Sequence, residues 1–237
     1  MNNNIKRKAS FILALIVVLV VPVVFFYIFA YKPHPTLLTE EVLPIYGPKK
    51  PIERTDAKGH KKIDTIYYSI PAFKFVAHTG DTISSNYLRG KVFVADFFFS
   101  NCPGICLDMA KNLKKVQETF LDDEDLSIIS YTVDPEADSV AQLYKYAIEH
   151  GIDSKKWLLL TGEKKKIYDL ARYAYFVTAL QGDGGPNDFI HSEKLILIDK
   201  EGRIRGYYDG TSEKEVDRLI ADIKILLVSY IIPRKEQ

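Results

Sequence analysis

The chain has 237 residues, 47% of them hydrophobic and 12% aromatic, with 32 basic against 31 acidic side chains and a net charge of +1. That length suits one ordinary domain with an appendage, and the apolar content excludes an intrinsically disordered chain. Near-neutral charge without a concentrated basic face argues against nucleic acid as a partner, because phosphate binding needs clustered Lys and Arg.

Phe11 to Ala30 is a run of twenty uncharged, almost wholly apolar residues. As a helix rising ~1.5 Å per residue it matches the hydrocarbon thickness of a bilayer. Lys6, Arg7 and Lys8 precede the run, and the positive-inside rule keeps that end cytoplasmic. A cleaved signal peptide is the competing reading. Its apolar region is usually shorter and ends in a small-x-small site, which Ile28-Phe29-Ala30 meets poorly. No Cys follows the run for a lipid anchor. The expected organisation is a cytoplasmic N-terminus at 1–10, a transmembrane anchor at 11–30, a tether at 31–62, a folded domain at 63–232 and a tail at 233–237. The domain is expected outside the cytoplasm, on the periplasmic face of a bacterial inner membrane.

The tether assignment rests on Pro33, Pro35, Pro44, Pro48 and Pro51 among charged residues. Beyond it, Lys91 to Ser100 is nearly all apolar and too short for an independent helix, so it predicts a central buried strand. Met109, Ala110, Leu113, Val116 and Phe120 recur at helical spacing over 107–120. A strand at 126–133 and a helix at 139–150 follow, then a strand at 157–160 and a helix from 164 to about 173. The runs 194–199 and 203–208 flank a Gly-containing turn and predict a hairpin. Ser212 and Glu215 fit a capping box that opens a last helix, which Pro233 ends. Parallel βα units followed by a hairpin and a closing helix predict an α/β, thioredoxin-like fold, with a central mixed sheet flanked by helices.

Both cysteines of the chain, Cys102 and Cys106, lie at the junction between the central strand and the first domain helix. If the helix begins near Cys102, residues four apart share a face, and their sulfurs can meet or share a ligand. Helix N-terminal amides favour thiolate, the form that attacks disulfides and binds soft metals. A purely stabilising disulfide is the bland alternative. So short a loop removes little unfolded-state entropy compared with the roughly 3 kcal/mol of a fifteen-residue loop. Asp96 interrupts the apolar strand six residues before Cys102. It reads either as a proton relay to the cysteines, as the acid at that spacing in thioredoxins suggests, or as a strand-end Asp bonded to backbone amides.

Two thiolates make an incomplete soft-metal site, which an imidazole would complete. Of the five histidines, His34, His60 and His78 read as solvated, and His150 as the cap of a helix end. His191 closes a Gly-rich loop directly before a strand, a favoured functional position, although position alone does not make it a ligand.

The segments 97–106 (FFFSNCPGIC), 132–136 (TVDPE) and 188–192 (DFIHS), in that order, resemble the Sco/SenC family. Framework segments extend the resemblance over roughly residues 65 to 230. The resemblance implies a thioredoxin-fold protein that binds copper, as Cu(I) and also Cu(II), through Cys102, Cys106 and His191. It further implies work on the binuclear copper centre of cytochrome c oxidase, delivering copper or maintaining the centre's cysteines. The implied partners are the oxidase's copper-accepting subunit and a thiol-disulfide reductant, with the membrane engaged through the N-terminal helix. Asp134 falls on the family's Asp-Pro motif as an auxiliary residue, though a turn-forming Asp-Pro explains it equally well. Leu107 departs from the proline many members carry after the second cysteine.

The alternative function is a membrane-tethered thiol-disulfide oxidoreductase in which Cys102 attacks and Cys106 resolves the mixed disulfide. Such enzymes place a cis-proline before the facing strand, whereas this chain reads His191-Ser192-Glu193 there. That difference favours a metallochaperone, with enzymatic thiol reduction left open. A peroxiredoxin-like peroxidase fits less well, because residues 95–101 lack its Pro-x-x-x-Thr/Ser-x-x-Cys pattern.

Overall fold

The computed structural model describes residues 18–22, 43–55, 59–102, 104–177 and 192–231. The chain divides into two units, Met1–Val42 and Leu43–Gln237. In the first, residues 18–22 are helical and exposed. The remainder of the expected anchor lies outside the described residues, among which no helix is long and apolar enough to cross a membrane.

The second unit opens with an antiparallel pair, β1 (Lys49–Thr55) and β2 (Lys61–Tyr67). Composition assigned residues 49–62 to a tether, and the structure instead forms a hairpin across the expected 62/63 boundary. The prolines do not prevent it. Pro51 sits in a strand paired on one side only, and the carbonyl of Pro48 accepts from Tyr68 N–H at 3.1 Å. The segment before the hairpin is also docked, since Arg205 donates to the carbonyls of Leu43 at 2.5 Å and Pro44 at 3.1 Å.

The main sheet has seven strands: β3 (Lys74–Ala77), β4 (Thr82–Ser84), β5 (Val92–Phe98), β6 (Leu126–Thr132), β7 (Trp157–Thr161), β8 (Lys194–Ile198) and β9 (Ile204–Asp209). Their spatial order is β4-β3-β7-β6-β5-β8-β9. The β5-β6 and β6-β7 pairs are parallel, and the outer pairs are antiparallel. Helix α1 (Ile105–Thr119) follows β5, and α2 (Val140–His150) follows β6. Helix α3 (Lys164–Asp169) runs into a π-turn at Leu170–Ala174, and α4 (Glu213–Ile231) closes the chain. The expected mixed α/β sheet is present. Strands β3 and β4, at one end of the sheet, went unpredicted, being too short for a period to declare itself.

Period-2 alternation splits the central strand between two cores. Val92, Val94 and Phe98 pack with α1, α2 and α4 on one face. Phe93, Ala95 and Phe97 pack on the other with Tyr131, Ile167 and Tyr175. Both neighbours of β5 are strands, so every residue in it is buried. The helix ends follow local chemistry: Ser139 Oγ caps α2 by accepting from Gln142 N–H at 3.2 Å, and Gly151 ends it in the left-handed region.

Candidate metal and thiol site

Asp96 shares the parity of Val94 and Phe98, so it faces the layer that contains Cys106. Its carboxylate accepts from Ser130 Oγ–H on the paired position of β6, and that oxygen accepts from Trp157 Nε1–H at 2.8 Å. The partner is thus a side chain on the next strand, not the backbone amides considered from sequence. Burial pushes the Asp96 carboxyl up to about 7, against the opposing pull of the Ser130 hydrogen bond. A buried acid that gains and loses a proton near neutrality therefore lies beneath the thiols.

Helix α1 begins at Ile105, three residues later than Cys102, and no side chain caps it. Cys102 sits in the preceding turn, where its own N–H donates to Phe99 O at 3.3 Å. Partial burial opposes its ionisation. Hydrogen bonds from the Cys106 thiol and from the N–H groups of Gly104 and Cys106 outweigh that and hold its pKa below the ordinary thiol value. The buried Cys106 is the opposite case. Burial, its hydrogen bond to Cys102 and the nearby Cys102 and Asp96 charges push its thiol up to about 12. The sulfurs meet because a turn folds Cys102 back over the helix N-terminus, a different route from the shared helical face that the spacing predicts.

Both cysteines line an open cavity of about 250 Å³, with Phe97, Phe99, Met109, Val177, Ser192 and Lys194 among its other walls. His191 lies outside the described residues, whereas its immediate neighbour Ser192 lines this cavity. Gly210 permits the close approach of α1 to the strand that begins here. A Cβ on it would come within 3.0 Å of Leu195, 3.1 Å of Glu193 O and 3.1 Å of Met109. Two residues past the π-turn, Phe176 holds the left-handed φ of 54°, and the next residue, Val177, lines the cavity wall.

Asp134 lies in the turn after β6, its N–H donating to Thr132 Oγ1 at 3.0 Å and its carbonyl accepting from Asp138 N–H at 2.8 Å. Sequence reasoning missed Asp138. That residue is buried and accepts from Ser100 N–H at 3.1 Å, from Ser100 Oγ–H and from Thr132 Oγ1–H. Its position four residues after Asp134 and just before a helix cap looks like an exposed turn acid, and burial is what distinguishes it. His78 corrects the solvated reading. It is buried, with Nε2 3.0 Å from Ser154 Oγ and Nδ1 accepting from Leu159 N–H at 3.1 Å, and burial lowers its pKa. His150 does cap its helix, with Nδ1 3.0 Å from Tyr146 O.

Among the described residues no group of three or more His, Cys, Asp or Glu could hold a metal ion. Two soft sulfurs facing one cavity nevertheless fit a thiophilic ion that finds a further ligand elsewhere. The SCO1/SenC family model matches residues 65–227. The SCO1 protein homolog of Bacillus subtilis is 29% identical over 167 residues, covering 70% of this chain and 86% of the relative. The solved structure of BsSco, a member of the Sco family of cytochrome c oxidase assembly proteins in which a disulfide switch is identified, is 30% identical. It has a TM-score of 0.58 and covers 67% of this chain and 93% of its own. Yeast Sco1 with copper bound is 28% identical with a TM-score of 0.51, covering 66% of this chain and 88% of its own. The matched span takes in the central strand, both cysteines, the Asp-Pro turn and most of the closing helix, and on that extent this chain belongs to the SCO1/SenC family.

Proposed function

We propose that this protein is a copper-binding assembly factor for the binuclear copper centre of cytochrome c oxidase, anchored in the membrane by residues 11–30 with its domain outside the cytoplasm. The observation that carries the reading is the pair of thiols in contact over one cavity, Cys102 poised for ionisation and Cys106 held back by burial. Copper is the cargo. Cys102 and Cys106 supply two thiolates and His191, next in the chain to cavity-lining Ser192, the imidazole. Soft sulfur donors suit Cu(I), and ligand exchange at Cys102, the more accessible of the two, passes the ion to the oxidase subunit. Loading frees the thiol protons. Asp96, with its pKa near 7, takes the one leaving buried Cys106, and Asp134 supports the turn beside the site.

The same asymmetry supports a second reading, thiol-disulfide exchange with the oxidase cysteines. The low-pKa, more accessible Cys102 attacks and Cys106 resolves, with a separate reductant regenerating the dithiol. Anaerobic Cu(I) titration of the reduced domain tests the first reading against an optical chelator. One equivalent is expected, with His191→Ala weakening binding at least about tenfold and Cys106→Ser on the order of 100-fold. Unchanged affinity in His191→Ala would remove the third ligand. Weak binding by the wild type together with fast reduction of an oxidised copper-centre peptide would transfer the function to thiol exchange.

A further inference from the structure

One buried carboxylate ties the loop that carries Cys102 to the end of β6 through three hydrogen bonds. Asp138 follows β6 and precedes α2, while Ser100 ends the strand-to-loop passage of β5, thirty-eight residues earlier. One carboxylate oxygen of Asp138 accepts from Ser100 N–H at 3.1 Å and from Thr132 Oγ1–H, and the other accepts from Ser100 Oγ–H. Gln142, in the first turn of α2, adds a 3.3 Å hydrogen bond from Nε2 to Ser100 Oγ. Ser100 follows Phe99, whose carbonyl closes the Cys102 turn and whose N–H is bonded to the Cys106 sulfur. The backbone of one residue thus touches both cysteines, and Asp138 fixes the next residue along.

We propose that Asp138 is the positioning residue of the thiol pair, holding Phe99 and Ser100 so that the Cys102 sulfur stays over Cys106. A buried carboxylate is costly unless its lone pairs are filled, and three donors fill them here. Holding the sulfurs together raises their effective concentration toward each other, which favours the disulfide over the dithiol. The inference rests on Cys102 and Cys106 being the working pair and is independent of copper.

The test equilibrates the metal-free domain with glutathione. The Cys102–Cys106 dithiol gives two electrons and two protons to glutathione disulfide, forming the protein disulfide and two glutathione molecules. Asp138→Ala is expected to shift this equilibrium toward the dithiol about tenfold, or ~30 mV for a two-electron couple. Ser100→Ala, which keeps the backbone donor, should shift it the same way by less, and the double variant should fall short of the sum of the two shifts. Asp138→Glu, keeping the charge, should recover part of the wild-type value. If Asp138→Ala lowers the melting temperature and leaves the equilibrium within twofold of wild type, the residue is structural only and the proposal fails. If Asp138→Ala does not fold, Ser100→Ala decides alone, and an unmoved equilibrium overturns the proposal. Failure of the copper reading would leave this redox shift intact, so the two are separable.

Discussion

The pairs β1-β2 and β5-β6 each join seven residues to seven in continuous register, yet they live in different solvents. Every residue of β5 and β6 is buried, whereas β1 and β2 have no buried residue, and Ile63 and Ile66 are mostly open to water. Backbone hydrogen bonds join both ladders, antiparallel in β1-β2 and parallel in β5-β6, and that difference in pattern is small beside the difference in burial. What differs most is the apolar area removed from water on both faces, and an isolated two-stranded ribbon is marginal for want of it. Exposed ion pairs such as Lys61 with Glu53, 3.3 Å apart, add little. Rigidity is therefore concentrated where the cysteines need it, at the end of β5.

Ile128→Ala on β6 should break this contrast most strongly. Its side chain is fully buried against α1 and α2, and truncation should cost about 2–5 kcal/mol in denaturant unfolding. A loss below about 1 kcal/mol would mean that the central ladder is not where stability resides.

Asp96→Asn sharpens the comparison by removing the buried carboxyl from the ladder. The folded-state carboxyl, near 7, lies above its unfolded value of 3.8, so the folded state binds the extra proton between those values. Stability from this group is complete below about pH 4 and is lost as pH rises through 7. At pH 8 the asparagine variant should be more stable than wild type by up to about 4 kcal/mol, with the gain vanishing near pH 4. A pH-independent difference would show that Asp96 does not titrate in this range.

The smallest effect belongs to the hairpin. Ile63→Ala, at a side chain 74% exposed, should change unfolding stability by less than about 0.5 kcal/mol. A larger loss would reveal that β1-β2 is covered in solution by something with an apolar face.

Much of the candidate site was legible before any coordinates. A Val- and Phe-rich run bounded by polar residues can only be a covered strand, and Asp96 inside it had to be buried with a partner. The cysteine spacing allowed the sulfurs to meet, and the helices declared themselves through periodic apolar faces and, for the last, a capping box at Ser212 and Glu215. The edge elements were less legible. Pro51 and the lysines of residues 49–62 describe a tether as well as a solvent-facing hairpin, because neither form buries a face that would impose a period.

By itself, then, the sequence determined what depends on local chemistry: which segments are apolar enough to be core, which of them are helical, and that two thiols lie at a strand-to-helix junction. Only the tertiary structure decided what depends on burial and on neighbours remote in the chain. It turned His78 from a solvated side chain into a buried hydrogen-bonded clip, and it made Asp138 the acceptor for Ser100. It also divided two chemically identical cysteines into one that ionises more readily than an ordinary thiol and one that burial makes harder to ionise. The physical reason is common to all three cases. Hydrogen bonds and ionisation depend on the dielectric and donors around a group, and those come from strands and helices that folding, not sequence adjacency, brings together.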